Sequence, residues 1–192
     1  KADLIVTFQG MPFMKTAGAD SRRLMSVDAE GRNWMAPASY LHGLNFLAER
    51  LAEYFPEDRR MIISRRDKAG QEVKEEADSL LQGIRRAGFS GKPLIASSLQ
   101  KESLEWMGFQ VVGEYGRPEA MSAQEVVRLA RIGKERKAVA VVDNLQSGPG
   151  AGKGIAETLG VPHLVLTNFP SERGYLATLA ENVNLIVKAL KQ

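Results

Sequence analysis

The sequence predicts an α/β protein with a parallel sheet and helices on both of its faces. Three observations carry that expectation. From Pro93 to the end of the chain, short apolar runs alternate with segments of helical apolar spacing. The clearest run, Ala138 to Val142 (AVAVV), is followed by a Gly-rich turn and then a further helix. With 192 residues, 44% of them hydrophobic and 26% charged, the chain can bury a core as one domain or as two small lobes.

In chain order, Leu4 to Phe8 reads as a short buried strand, with Gln9-Gly10-Met11-Pro12 as the turn after it. Leu24 to Val27 is a second strand, and Asp28 to Asn33 (DAEGRN) a loop. Tyr40, Leu44, Leu47, Leu51 and Tyr54 recur at helical spacing between Ala38 and Phe55, behind a proline placed where a helix start tolerates it. Pro56 ends that helix. A second helical pattern runs from Glu57 to Ala87, with Gly88 as its C-terminal stop. Pro93 to Ser97 then reads as a strand, Lys101 to Met107 as a short helix and Phe109 to Gly113 as a strand. Ser122 with Glu125 three residues on is a capping box that opens a helix. After Ala138 to Val142 come a helix ending at Leu159, a strand from His163 to Leu166 and a last helix from Tyr175. In such a sheet ligands sit beyond the carboxyl ends of the strands, here Ser97-Ser98, Gly113-Glu114-Tyr115, Asp143-Asn144 and Thr167-Asn168.

Composition excludes several functions. The absence of cysteine removes thiolate zinc sites, iron–sulfur clusters and cysteine nucleophiles, and two histidines are too few for an ordinary transition-metal site. A net charge of +3 spread along the chain makes no basic patch, so no nucleic acid partner is expected. No apolar run approaches the roughly 20 residues of a membrane span. Lys1-Ala2-Asp3 leads directly into Leu4-Ile5-Val6 without an initiator Met or a signal-peptide layout, which reads as a processed or trimmed chain.

Ser147-Gly148-Pro149-Gly150-Ala151-Gly152-Lys153-Gly154 follows a strand, precedes a helix and contains Gly-Lys. A phosphate loop needs four residues between its first Gly and the Gly-Lys pair, then Ser or Thr for magnesium. Here three residues separate Gly148 from Gly152 and Gly154 stands in place of the hydroxyl, so the segment is either a weak anion cradle or a plain strand-to-helix turn. His42 and His163 read as structural or surface residues. Asp143, at the end of the clearest strand, is the most site-like carboxylate and equally a capping or turn residue. Seven scattered methionines read as core filler. No catalytic constellation emerges, and neither an enzyme nor a cofactor is expected.

From Ala2-Asp3-Leu4-Ile5-Val6 onward the chain resembles the zinc and manganese substrate-binding proteins of ABC transporters. The segments that carry the resemblance are Asn33-Trp34-Met35-Ala36-Pro37, Gly91-Lys92-Pro93-Leu94-Ile95, Trp106 to Gly113, Met121-Ser122-Ala123-Gln124-Glu125, Asn144-Leu145-Gln146 with Pro149, and Tyr175-Leu176 with Asn182. The resemblance implies a two-lobe substrate-binding protein with a long linking helix. Residues 1–32 would form a partial N-terminal α/β lobe, 33–88 the linking helical segment and 89–192 the C-terminal α/β lobe. The N-terminal lobe is expected to be incomplete, either because the chain was trimmed or because it is a compact relative. A remnant lobe exposes a strand edge beside Leu4 to Phe8, which implies a possible homodimer.

The family's metal ligands, histidines and carboxylates from both lobes, do not carry over. Its first ligand lies ahead of Lys1, the second falls on Arg32, the third on Ser97 or Ser98, and the fourth on Thr167, followed by Asn168. No metal ligand is therefore expected among them. With Asn144 these residues form an expected ligand-binding set, Arg32, Ser97, Ser98, Asn144, Thr167 and Asn168, suited to an oxygen-rich or anionic solute more than to a bare divalent cation. The resemblance implies a small solute or metal ion and an ABC transporter membrane permease as partners, and a periplasmic or cell-surface lipoprotein location. The alternative is a receptor-like protein that binds no solute and serves as an adhesin or assembly partner.

Overall fold

The computed structural model describes residues 4–9, 11, 24–27 and 32–191. Gly10, Pro12 and residues 28–31, which belong to the expected turn and loop of the first lobe, lie outside that set, as do residues 1–3. The chain divides into two compact units, one of Lys1–Arg32 with Ala38–Glu72 and one of Asn33–Pro37 with Val73–Gln192.

The first unit contains β1 (Ile5–Phe8) and β2 (Leu24–Val27), paired in parallel from Ile5↔Leu24 to Phe8↔Val27. Alternate residues of β2, Met25 and Val27, are buried, while Val6 and Phe8 of β1 are exposed, the period-two pattern of a sheet covered on one face. Helix α1 (Pro37–Tyr54) starts on a proline and buries Ala48 and Ala52, one turn apart. It stops because the residue before a proline is pushed out of the helical region, and Phe55 sits at φ −123°, ψ 73° ahead of Pro56. A 3-10 turn (Pro56–Asp58) leads into α2 (Arg59–Arg86), whose 28 residues measure about 42 Å at 1.5 Å per residue. Within the first unit Glu49 of α1 accepts Arg66 at 3.1 Å and Arg59 at 3.3 Å, both from α2.

The second unit is a four-stranded parallel sheet in the order β4-β3-β5-β6, formed by β3 (Pro93–Ser97), β4 (Gln110–Tyr115), β5 (Val141–Asn144) and β6 (His163–Leu166). Helices α3 (Lys101–Trp106), α4 (Ala123–Arg136), α5 (Lys153–Leu159) and α6 (Tyr175–Leu190) complete the alternation that the sequence predicts. The pleat sends Leu94 and Ala96 to one face, where they pack with Ile84, Leu104, Val142, Leu166, Val183 and Ile186. Ile95 goes to the other face, with Leu129, Val141, Ile155 and Ala156. Each face is therefore sealed by helices, and near-continuous apolar strands follow from double burial. Ser122 caps α4, its Oγ accepting the Glu125 amide at 3.1 Å as the capping box predicts.

One strand is displaced from its expected place. The apolar run predicts a strand over Ala138 to Val142, but β5 spans Val141–Asn144. The amide of Ala138 is held by the Gly133 carbonyl at the end of α4, and pairing with β6 begins only at Val141↔His163. The polar Asp143 and Asn144 thereby enter the ladder. No helix of the described residues is long and apolar enough to cross a membrane.

Candidate functional site

In a sheet of order β4-β3-β5-β6 the winding reverses between β3 and β5, the point at which open parallel sheets offer a crevice beyond their carboxyl ends. Three loops leave this edge: a 3-10 turn (Ser98–Gln100) after β3, the residues after Asn144, and those after Leu166. They meet at one atom. The carbonyl oxygen of Leu166 accepts the Leu145 amide at 2.8 Å and Gln100 Nε2 at 3.0 Å. Gln100 Nε2 also donates to Asn144 Oδ1 at 2.9 Å, and Asn144 Nδ2 donates to Ser147 Oγ at 2.8 Å. A backbone carbonyl only accepts, so the nitrogen of the Gln100 amide must face Leu166 and its oxygen must face away. That oxygen, on a side chain with 0% exposure, has no hydrogen-bond partner among the described residues.

The loop after β6 is tied from two sides. Gln146 Nε2 donates to Thr167 Oγ1 at 2.7 Å and Gln146 Oε1 accepts the Asn168 amide at 3.2 Å. From α6, Asn182 Nδ2 donates to the Thr167 carbonyl at 2.8 Å and its Oδ1 accepts the Thr167 amide at 3.3 Å. Asn168 Oδ1 is buried without a hydrogen-bond partner among the described residues.

Five of the six expected ligand-binding residues thus come to one edge: Ser97 at the end of β3 and Ser98 after it, Asn144 at the end of β5, Thr167 and Asn168 after β6. They differ in what they have left to offer. Both groups of the Asn144 amide are engaged within the edge, and the Thr167 hydroxyl is held by Gln146 and the Phe169 backbone. Ser98 is exposed, and the Asn168 oxygen is uncommitted. Arg32 belongs to the first unit. Its neighbour Asn33 is fastened into the second, donating from its backbone amide to Glu102 at 2.6 Å and from Nδ2 to the Leu99 carbonyl at 2.7 Å. Gln100, the centre of the edge, is absent from the set that the sequence predicts. A lone Gln between Leu99 and Lys101 reads as a helix-surface residue, and only its burial reveals the role.

Beside this edge lies a buried polar cluster around Asp143, which has 0% exposure. Its carboxylate accepts the Tyr115 hydroxyl at 2.5 Å, the Gly152 amide at 3.0 Å and, at 2.7 Å, lies against His163 Nε2. Burial, and after it the hydrogen bond to Asp143 and the Asp143 charge, push the Tyr115 phenol well above its ordinary range. Gly152 is required by close approach, since a Cβ there would collide with the Tyr115 hydroxyl and stand 2.6 Å from Val141 Cγ1. Of the two readings of Asp143, the structure supports the turn-anchoring one. The same contact decides the Gly-rich segment: an internal carboxylate already holds the amide that a phosphate would use, while Lys153 points to solvent, 68% exposed and 4.0 Å from Glu157. His42 is a residue of α1, in the first unit. A concavity of about 390 Å³ lined by Arg117, Pro118, Glu119, Gln146, Ser147 and Gly148 flanks the edge.

Zinc sites are built from imidazole, thiolate and carboxylate, whereas manganese takes carboxylate, carbonyl and water oxygens. The described residues contain no group of three His, Asp or Glu side chains placed to hold a metal ion. The side-chain donors that the described residues bring to the edge are amides and hydroxyls, a set without the imidazole and thiolate ligands of zinc sites.

No protein-family model matches the sequence, and no curated protein sequence matches it. Solved structures do. A periplasmic metal-binding protein from Candidatus Liberibacter asiaticus superposes with a TM-score of 0.79 at 14% identity, over 98% of this chain and 81% of that one. The fold is that of the metal receptors. A mutant of the laminin-binding adhesin Lmb from Streptococcus agalactiae gives 0.78 at 15% identity over the same shares, and ZnuA gives 0.71 at 16% over 93% of this chain and 75% of its own. At these identities the likeness is one of fold: the two-lobe solute-binding architecture, with the chain spanning 75–81% of the length of these three proteins.

Proposed function

We propose that this protein is the solute-binding component of an ABC transporter, descended in fold from zinc and manganese receptors, that takes a small polar solute at the carboxyl edge of the second-unit sheet. The observation that carries this is the edge itself: three loops converge on the Leu166 carbonyl and present amides and hydroxyls where the fold's metal receptors would need imidazoles and carboxylates. Reversible capture and release, rather than catalysis, fits a site with no nucleophile–base pair. A membrane permease is the implied partner and a periplasmic or cell-surface location the implied setting, in keeping with neighbours described as periplasmic metal-binding proteins.

Calorimetric titration with zinc, manganese, oxyanions and small organic molecules tests the proposal. Saturable binding of a non-metal solute, lost on substitution at this edge, is the expected result. Submicromolar zinc binding mapped to His163 or His42 would overturn the replaced-ligand part of it.

A second reading is favoured by one of the neighbours, Lmb, which is described as having both adhesin and metal-transporting activity. In that reading the chain keeps the receptor fold and binds a macromolecule only. Marked thermal stabilisation by any small solute of the panel counts against it.

A further inference from the structure

We infer that the solute accepted at this edge is a small organic molecule that presents N–H donors on one side and hydrocarbon on the other, an organic ammonium or amide, rather than an inorganic anion or a carboxylate. The inference rests on the proposed solute-binding reading and names the chemical class for it. Two features point the same way. The polar atoms left without partners among the described residues at the edge are both carbonyl oxygens of side-chain amides, Gln100 Oε1 and Asn168 Oδ1. The orientation of the first is not a free choice, because Gln100 Nε2 must meet the Leu166 carbonyl. A buried acceptor left unpaired forfeits its hydration without return, and a ligand donor recovers that loss whereas an anionic oxygen adds repulsion.

The second feature is apolar. Leu99, Leu145 and Phe169 are 37%, 52% and 53% exposed, one on each of the three loops. Leu99 precedes Gln100, which together with the Leu145 amide bonds the Leu166 carbonyl, and Phe169 follows Asn168, whose backbone amide is held by Gln146. Each of the three strand-end loops thus sets an exposed apolar residue next in sequence to one of these polar residues. A bare ion gains nothing from such a rim, but a hydrocarbon chain gains about fourfold in affinity per methylene buried.

The test uses the whole chain and two matched series: methyl-, n-butyl- and cyclohexylammonium against acetate, valerate and cyclohexanecarboxylate, with zinc and manganese chloride alongside. The expected result is saturable binding of the ammonium series that strengthens with hydrocarbon size. Asn168→Leu should weaken it at least tenfold, Asn168→Asp should strengthen it, and Phe169→Ser should flatten the dependence on size. Among the described residues the Asn168 side chain carries none of the bonds that fix its loop, and circular dichroism with a melting curve verifies that each variant folds. Binding of the carboxylates or metal ions in place of the ammonium ions overturns the inference and leaves the solute-binding reading standing. Failure of every compound to bind overturns both.

Discussion

Asp143 and Tyr115 are joined by a 2.5 Å hydrogen bond between two side chains that are almost wholly buried, 0% and 3% exposed, on β5 and β4, the two strands that flank β3. The bond ties the end of β4 to β5 and, through the Gly152 amide on the same carboxylate, to the start of α5. Removing the phenol oxygen leaves a buried charge with one donor fewer. Tyr115→Phe should therefore destabilise the protein by about 2 kcal/mol, within the range for hydrogen bonds to buried charged groups. Urea unfolding followed by far-ultraviolet circular dichroism measures it, and a loss below half that size would show that the Gly152 and His163 contacts suffice.

The same phenol gives the protein an alkaline limit. Burial and the adjacent carboxylate raise the folded-state pKa of Tyr115 above the ordinary value of 10.0, so the folded state holds a proton that the unfolded chain releases. Stability from this source is complete below pH 10 and is lost progressively as pH rises above it, whereas an unshifted tyrosine contributes no slope. The melting temperature of the wild type should fall above pH 10 more steeply than that of Tyr115→Phe. Parallel curves would dismiss the effect.

Gly152→Ala tests the packing beneath that bond. A methyl group would collide with the Tyr115 hydroxyl and approach Val141 Cγ1 to 2.6 Å, with no flexible side-chain end to yield on the strand side. A cost of about 1–3 kcal/mol is expected, as for other overpacked cores, and thermal unfolding measures it. If Tyr115→Phe is made first, the clash is eased and the two losses should sum to less than their separate values.

Lys153→Ala separates the Gly-rich turn from a phosphate loop. Its ammonium is solvent-exposed and 4.0 Å from Glu157, a surface pair whose removal should change stability by no more than about 0.5 kcal/mol. Phosphate and nucleotide affinity, measured by titration, should be equally negligible in wild type and variant. Tight nucleotide binding abolished by the substitution would restore the phosphate-loop reading.

The legibility of this chain in its sequence follows the range of the interactions involved. Pro93–Ser97 and His163–Leu166 coincide with their expected bounds because each is a short apolar run between residues that break regular structure, a property of the segment alone. Ser122 is legible as a cap for the same reason, its partner being three residues away. The carboxyl half of β5 is not. Asp143 and Asn144 are poor strand residues by composition, and they sit in the ladder because partners 28, 20 and 44 residues distant, Tyr115, His163 and Gln100, satisfy their side chains. The candidate site divides along the same line. Strand ends mark Ser97, Ser98, Asn144, Thr167 and Asn168, but Gln100 owes its place to a long-range bond with Leu166, which no local pattern announces.

The sheet order also has a kinetic consequence. β3 pairs with β4 across only one short helix, but with β5 only after α4 has been traversed, so the β3–α3–β4 unit closes the shortest loop in the sheet and the later strands are laid against it. Leu94→Ala should mainly slow folding and Leu166→Ala should mainly speed unfolding, a contrast that chevron analysis resolves and that equal φ-values at the two positions would refute. Because the Leu166 carbonyl also gathers Gln100 and the Leu145 amide, the same reasoning predicts that this carboxyl edge assembles last and opens first.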